Sequence, residues 1–375
     1  MNLELFDELT DGGRRPLRMA ELVYGAAERD SSLPSRSEID EERTHPQKEK
    51  RGLEIKQGEF FAEILGDQRR GQQLMDVMRG PKPESSRRVN EFRRTGHVDL
   101  GTNEVRRRGR VGWIELKNLS CLNAEDDIST ANLEVAVDLV LLDPEIDAGV
   151  LRGAPMTHPK HQGRHIFGSG INLTDLYYGR ISLVEFMLER ELGYVHKIFR
   201  GLLADDGSSI DKPFLAAVES WAIGGACQWL LVMDAVIAER GSYFSLPARK
   251  EGIIPGCANL RLPRFIGERA AREAIFFNRQ FDADSADGRL IADAVVDAED
   301  IESTVEHMAT ELGAAGPTSL VANRRALRDA YEPQDVFRRY MAAYSLDQAR
   351  CLYSPALIDN LERNWNAKQR REAER

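Results

Sequence analysis

The stretch ESWAIGGACQWLL, residues 219–231, decides how the rest of the chain is read. Two glycines, Gly224 and Gly225, open an apolar helical segment, and a lone amide, Gln228, follows one turn in. Glycine at a helix start removes side-chain bulk and lets another group approach the backbone. The first N–H groups of a helix have no intrahelical acceptor and carry partial positive charge, which suits an oxyanion. Two readings stay open for the glycine pair taken alone. It is an anion-facing turn, or it merely lets a helix pack closely on a strand.

Outward from this stretch, strands alternate with helices. VGWIELKN, AGVLRG, HIFGSG, FLAAVES, AVIAE and YFSL read as short strands, while ANLEVAVDLVLLD and SLVEFMLERELGYVHKIFRGLL read as helices. That alternation predicts an α/β architecture with crossover connections. The charged run EVRRRGR reads as a solvated hairpin, the alternative being an anion site. Upstream, EFFAEILGDQRRGQQLMDVMRG has helical apolar spacing, whereas RDSSLPSRSEIDEERTHPQKEKRG reads as a polar connector with little to bury. The expected organisation is a loosely joined helical region over 1–97, a catalytic core over 98–316 and a helical region over 317–375. The apolar stripes of the last region suit core or a subunit interface.

The chain has 375 residues, 61 acidic against 51 basic, for a formal charge of −10. That balance argues against a broad nucleic-acid surface. Four cysteines, Cys121, Cys227, Cys257 and Cys351, lie far apart and read as reduced thiols. No apolar run is long enough to span a membrane, and the N-terminus does not read as a signal peptide. A soluble cytoplasmic protein is expected.

Four segments stand out in order: CLNAEDD (121–127), FGSGINL (167–173), IGGACQ (223–228) and SLPARKEGIIPG (245–256). Together they resemble the crotonase (enoyl-CoA hydratase/isomerase) superfamily. The resemblance covers roughly residues 98–375. It implies a crotonase-like spiral of ββα units, with C-terminal oligomerisation helices that assemble trimers or hexamers. It also implies a CoA thioester held in an oxyanion hole made by the amides of Ile171 and Gly225. Two such donors stabilise the charge that forms when a proton leaves the carbon beside the thioester, and losing one typically costs about 2.7–4 kcal/mol of barrier. On this reading Gly225 is glycine because the thioester must touch the backbone.

Departures from the hydratases sharpen the expectation. Those enzymes carry a glutamate where this chain has Gln228 and another after the proline where it has Ala248. Without that pair, acid–base addition of water is poorly supported. GINLTDLYYG, RELGYVHK and VANRRAL, with the N-terminal helices, are instead similar to arylacetyl-CoA dioxygenases that use neither metal nor flavin and serve glycopeptide-antibiotic biosynthesis. The resemblance implies that Glu125 and Gln228 bind one ring hydroxyl and Arg190 the other, with Ile253 lining an oxygen pocket. For CoA it implies Leu122, Ser169, Gly170 and Asn172, with His158, Lys160 and His161 of the HPKHQGR loop. No metal site and no cofactor are expected; the partners are the arylacetyl-CoA and O2. No residue is assigned as the base. Another crotonase-type CoA enzyme and a non-catalytic scaffold remain as alternatives.

Overall fold

The structure is a computed structural model that describes residues 2–370 apart from 205, 315 and 368. Seven strands lie side by side in chain order: His97–Asp99, Asn103–Arg108, Val111–Leu116, Ala148–Gly153, Phe214–Val218, Ala235–Glu239 and Ala294–Val296. The first three pair antiparallel and the rest parallel. The charged run is thus a hairpin, turning at Gly109. A smaller sheet pairs Trp221–Ile223 in parallel with Tyr243–Ser245, which pairs antiparallel with Gln280–Asp282. Twice the chain passes from the large sheet to the small one and then into a helix, which is the expected ββα unit.

The central strands, apolar except for Arg152 and Glu239, need cover on both faces. Helices Asp127–Leu142, Gly225–Leu230 and Ala258–Phe277 bury Val137, Trp229 and Leu262 on one side. Helix Ile301–Ala314 closes the other with Ile301, Val305 and Ala309.

Three expectations need correction. The polar connector contains helix Arg36–Glu42, started by a Ser35/Glu38 capping box and buried through Ile39. HIFGSG forms isolated bridges, Pro155 with His165 and Gly168 with Ala222, and no continuous strand. The long helix from Leu183 is broken: a π-helix over Leu183–Leu188 leads into Glu189–Leu192, and Tyr194–Arg200 follows after Gly193.

Nor is the N-terminal region loosely joined. Helices Glu54–Gly66 and Gln68–Arg79 share one apolar cluster with the π-helix and with Gln334–Leu352. A Cβ on Gly58 would come within 2.7 Å of the Ser345 carbonyl, so the two long helices meet at a glycine. A buried ionic network adds a second fastening. Arg18 and Lys82 of the N-terminal region reach Glu134, and Lys197 joins Glu134 at 2.8 Å to Asp138 at 2.6 Å.

Candidate active site

The four sequence segments lie edge to edge. Glu125 N–H donates to Gly170 O at 2.7 Å, and Asn172 N–H donates back to Glu125 O at 2.7 Å. Ile223 N–H reaches Gly168 O at 3.0 Å, and Gly224 N–H reaches Ser245 O at 2.8 Å. Each segment leaves its neighbour after one or two bonds, so main-chain groups at this end of the sheets are left over. Among the described residues, the N–H groups of Ile171 and Gly225 donate to no turn, loop or side-chain acceptor. Both residues line one cavity.

Gly224 adopts φ +55°, ψ −119°, a conformation closed to residues with a Cβ. Gly225 is glycine for another reason. A Cβ there would overlap Glu125 Oε1 and stand 2.7 Å from Arg190 Nη2. What crowds this position is the polar cluster behind it, a constraint added to the one expected from a thioester.

That cluster centres on Arg190, which is buried. Its Nε donates to Glu125 Oε2 at 2.7 Å, its Nη2 to Gly225 O at 2.8 Å, and its Nη1 to Glu191 and, at 3.3 Å, to Gln228 Oε1. Burial opposes the Arg190 charge, but Glu125, Tyr194 and Glu191 outweigh it and hold the guanidinium well above its ordinary pKa. Tyr194 O–H donates to Glu125 Oε2 at 3.0 Å and accepts from Trp229 Nε1 at 2.9 Å. Two buried carboxylate oxygens, Glu125 Oε1 and Glu191 Oε2, have no partner among the described residues. Glu125, Arg190, Glu191 and Gln228 line the same cavity as Ile171, Gly225 and Ile253. Its remaining wall includes Phe186 and Met187 from the π-helix, a distortion common where helices shape a site.

Beside this cavity runs a larger, open cleft. Leu122, His158, Ser169 and Asn172 line it. Gly170 instead spends its carbonyl on Glu125, and His161 packs edge-on against Trp221, itself a cleft residue, at 5.5 Å. Lys160 is exposed on the same loop, its N–H 3.2 Å from His158 Nδ1. Cations not singled out in the sequence, Arg180, Lys250 and Arg370, also line the cleft, with Trp365 from the last helix. They suit phosphate.

Glu191 and Glu251 were missed as well. Glu191 follows Arg190 directly. Glu251 lies on the short helix Ala248–Glu251, so it shares a helix face with Ala248, the position where the hydratases carry a glutamate. The i, i+3 spacing after Pro247 was the available signal. Its side chain is buried, which pushes its pKa up to about 7. Among the described residues, no group of three His, Cys, Asp or Glu is arranged to hold a metal ion.

With this geometry in place, the comparisons agree on class. The Enoyl-CoA hydratase/isomerase family model matches residues 107–348, and the chain belongs to that family. One curated relative is the (3,5-dihydroxyphenyl)acetyl-CoA 1,2-dioxygenase of Amycolatopsis orientalis, 47% identical over 95% of this chain and 82% of that protein. A probable mitochondrial enoyl-CoA hydratase of Dictyostelium discoideum is 25% identical over 62% of this chain and 76% of its own. Among solved structures, an enoyl-CoA hydratase/isomerase from Xanthobacter autotrophicus Py2 superposes with a TM-score of 0.59 at 23% identity, over 73% of this chain and 98% of that one.

Proposed function

We propose that the chain is a dioxygenase that converts (3,5-dihydroxyphenyl)acetyl-CoA and O2 into the aryl α-keto acid, 3,5-dihydroxyphenylglyoxylate, and free CoA. The observation that carries this reading is the Arg190 cluster at the inner end of the cleft, with two partnerless carboxylate oxygens. A phenol is a hydrogen-bond donor and a carboxylate an acceptor, so two ring hydroxyls match Glu125 and Glu191. The Arg190 fork and the Gln228 amide hold that arrangement and meet the hydroxyl oxygens. The similarity to the Amycolatopsis orientalis enzyme points to the same substrate.

The thioester oxygen sits between the N–H groups of Ile171 and Gly225. They stabilise the enolate left when an α-proton departs. The enolate passes one electron to O2 in the apolar corner made by Ile253, Phe186 and Met187, and the two radicals join as a peroxide on the α-carbon. The peroxide attacks the thioester carbonyl and expels CoA as thiolate. Loss of the second α-proton then breaks the O–O bond and leaves ketone and carboxylate. The α-carbon gives up four electrons from methylene to ketone, and O2 accepts four. The balance closes with no external electron donor or acceptor, and the enzyme is proposed to work without metal, flavin or nicotinamide.

Leu122, His158, Ser169 and Asn172, with Lys160 and His161 at the cleft mouth, receive the CoA arm. Exposed Leu327 and Tyr331 on helix Pro317–Tyr331, and Phe276 and Phe277 at the end of helix Ala258–Phe277, offer apolar surface for a homotrimer or hexamer. We place the enzyme in the cytoplasm, in the supply of a dihydroxyphenylglycine unit for a glycopeptide antibiotic. Chelator-treated protein given the thioester should take up one O2 for each thiol released. Thiol release without oxygen uptake, or uptake restored only by an added metal, would refute the reading.

A further inference from the structure

The reaction proposed above needs a group to remove protons from the α-carbon, and that carbon has a defined place. It lies one bond from the thioester carbonyl and one bond from the ring. The carbonyl belongs to the amides of Ile171 and Gly225, the CoA arm to the cleft and the ring to the Arg190 cavity. The α-carbon must therefore occupy the neck where cleft and cavity meet. Among the described residues, three line both spaces: Ile171, Pro247 and Glu251. Ile171 contributes its N–H, and Pro247 has no polar side chain.

We infer that Glu251 is the catalytic base that takes the α-protons. Its carboxylate makes no hydrogen bond or ion pair with any described residue, in contrast to Glu125 and Glu191, each bound to Arg190. A buried acid with no internal partner is costly to keep unless it faces a reacting group. Burial also raises its proton affinity into the range where a carboxylate is an effective base near neutral pH. The step balances. The C–H bond breaks, an O–H bond forms on Glu251, and the electron pair becomes the enolate, its charge on the thioester oxygen. When the peroxide closes on the carbonyl, Glu251 returns this proton to the departing thiolate. The regenerated carboxylate then takes the second α-proton as the O–O bond breaks. One base at the neck serves both removals.

This inference rests on the proposed arylacetyl-CoA substrate, and the two are separable by experiment. Full-length protein is incubated with (3,5-dihydroxyphenyl)acetyl-CoA in D2O without oxygen, and α-deuterium is followed by mass spectrometry. Wild type should exchange the α-hydrogens without forming product. In Glu251→Gln, exchange should fall by about 10²-fold or more, the usual scale for removing a general base. Thioester affinity should stay within about threefold. Glu251→Asp, which keeps a carboxylate, should retain measurable exchange. Wild-type exchange in Glu251→Gln, a parallel loss of binding, or no exchange in wild type would each overturn the assignment. If wild type exchanges but takes up no oxygen once air is admitted, the dioxygenase reading falls and Glu251 stands as a base.

Discussion

A single methyl group at Gly225 would meet Glu125, so alanine already tests a position where the family resemblance directs attention to larger side chains. Gly225→Ala should fold, push Glu125 from Arg190, tilt the amide and lower oxygen uptake by about 10²-fold. Near-normal turnover in a folded variant, checked by circular dichroism, would remove Gly225 from the oxyanion hole. At Glu251 the cost of function is visible in stability. Its pKa rises from an ordinary 4.5 to about 7 on folding, so the folded state holds the proton more tightly. The stability tied to this proton is complete below the unfolded value and is lost as pH rises through about 7. Glutamine has no such proton. Glu251→Gln should therefore gain roughly 1–3 kcal/mol relative to wild type between about pH 5 and pH 8 by urea denaturation. A difference that does not change with pH would mean the carboxylate is not desolvated.

Among the elements, those set by local periodicity were legible and those set by tertiary contact were not. Val111–Leu116, Asp127–Leu142 and Phe214–Val218 lie where alternation and apolar spacing put them. The segment around HIFGSG has strand composition, but its neighbours each offer it one or two hydrogen bonds, so no ladder forms. The helix after Leu183 has unbroken apolar spacing. It breaks at Gly193, where a Cβ would meet Glu189 O at 2.5 Å and the Glu134 carboxylate at 3.0 Å. Helix Arg36–Glu42 carried a readable S-x-x-E start, outweighed in the sequence by its charged surroundings. The ionic network under these helices is assembled from four distant parts of the chain, at Arg18, Lys82, Glu134 with Asp138, and Lys197, and leaves no local pattern. Its centre is testable. Lys197→Met keeps the side-chain stem but leaves Asp138 without its ion-pair partner, while Glu134 keeps Arg18 and Lys82, and should cost about 3–5 kcal/mol. Adding Asp138→Asn should recover part of that. A loss below about 1 kcal/mol for Lys197→Met would mean that the buried Lys197 charge does not hold the network together.

For the molecule as a whole, the order of four short segments was enough to read the fold, because in a ββα spiral each successive unit brings its turn to the same end of the sheets. That is why Ile171, Gly225, Glu125, Arg190, Gln228 and Ile253, spread over more than a hundred residues, line one cavity. Glu191 and Glu251 were not legible because their significance comes from the neck and the cluster, which exist only once the segments are side by side. The central claim is that both atoms of O2 enter the product of an arylacetyl-CoA without help from a cofactor. The most direct measurement is mass spectrometry of the keto acid made by chelator-treated protein under ¹⁸O2, quenched early to limit exchange of the ketone oxygen with water. The account predicts two ¹⁸O atoms in the keto acid, one in the ketone and one in the carboxylate, and one free CoA for each keto acid. A product carrying only water oxygen, or CoA released beside unoxidised arylacetate, would contradict it.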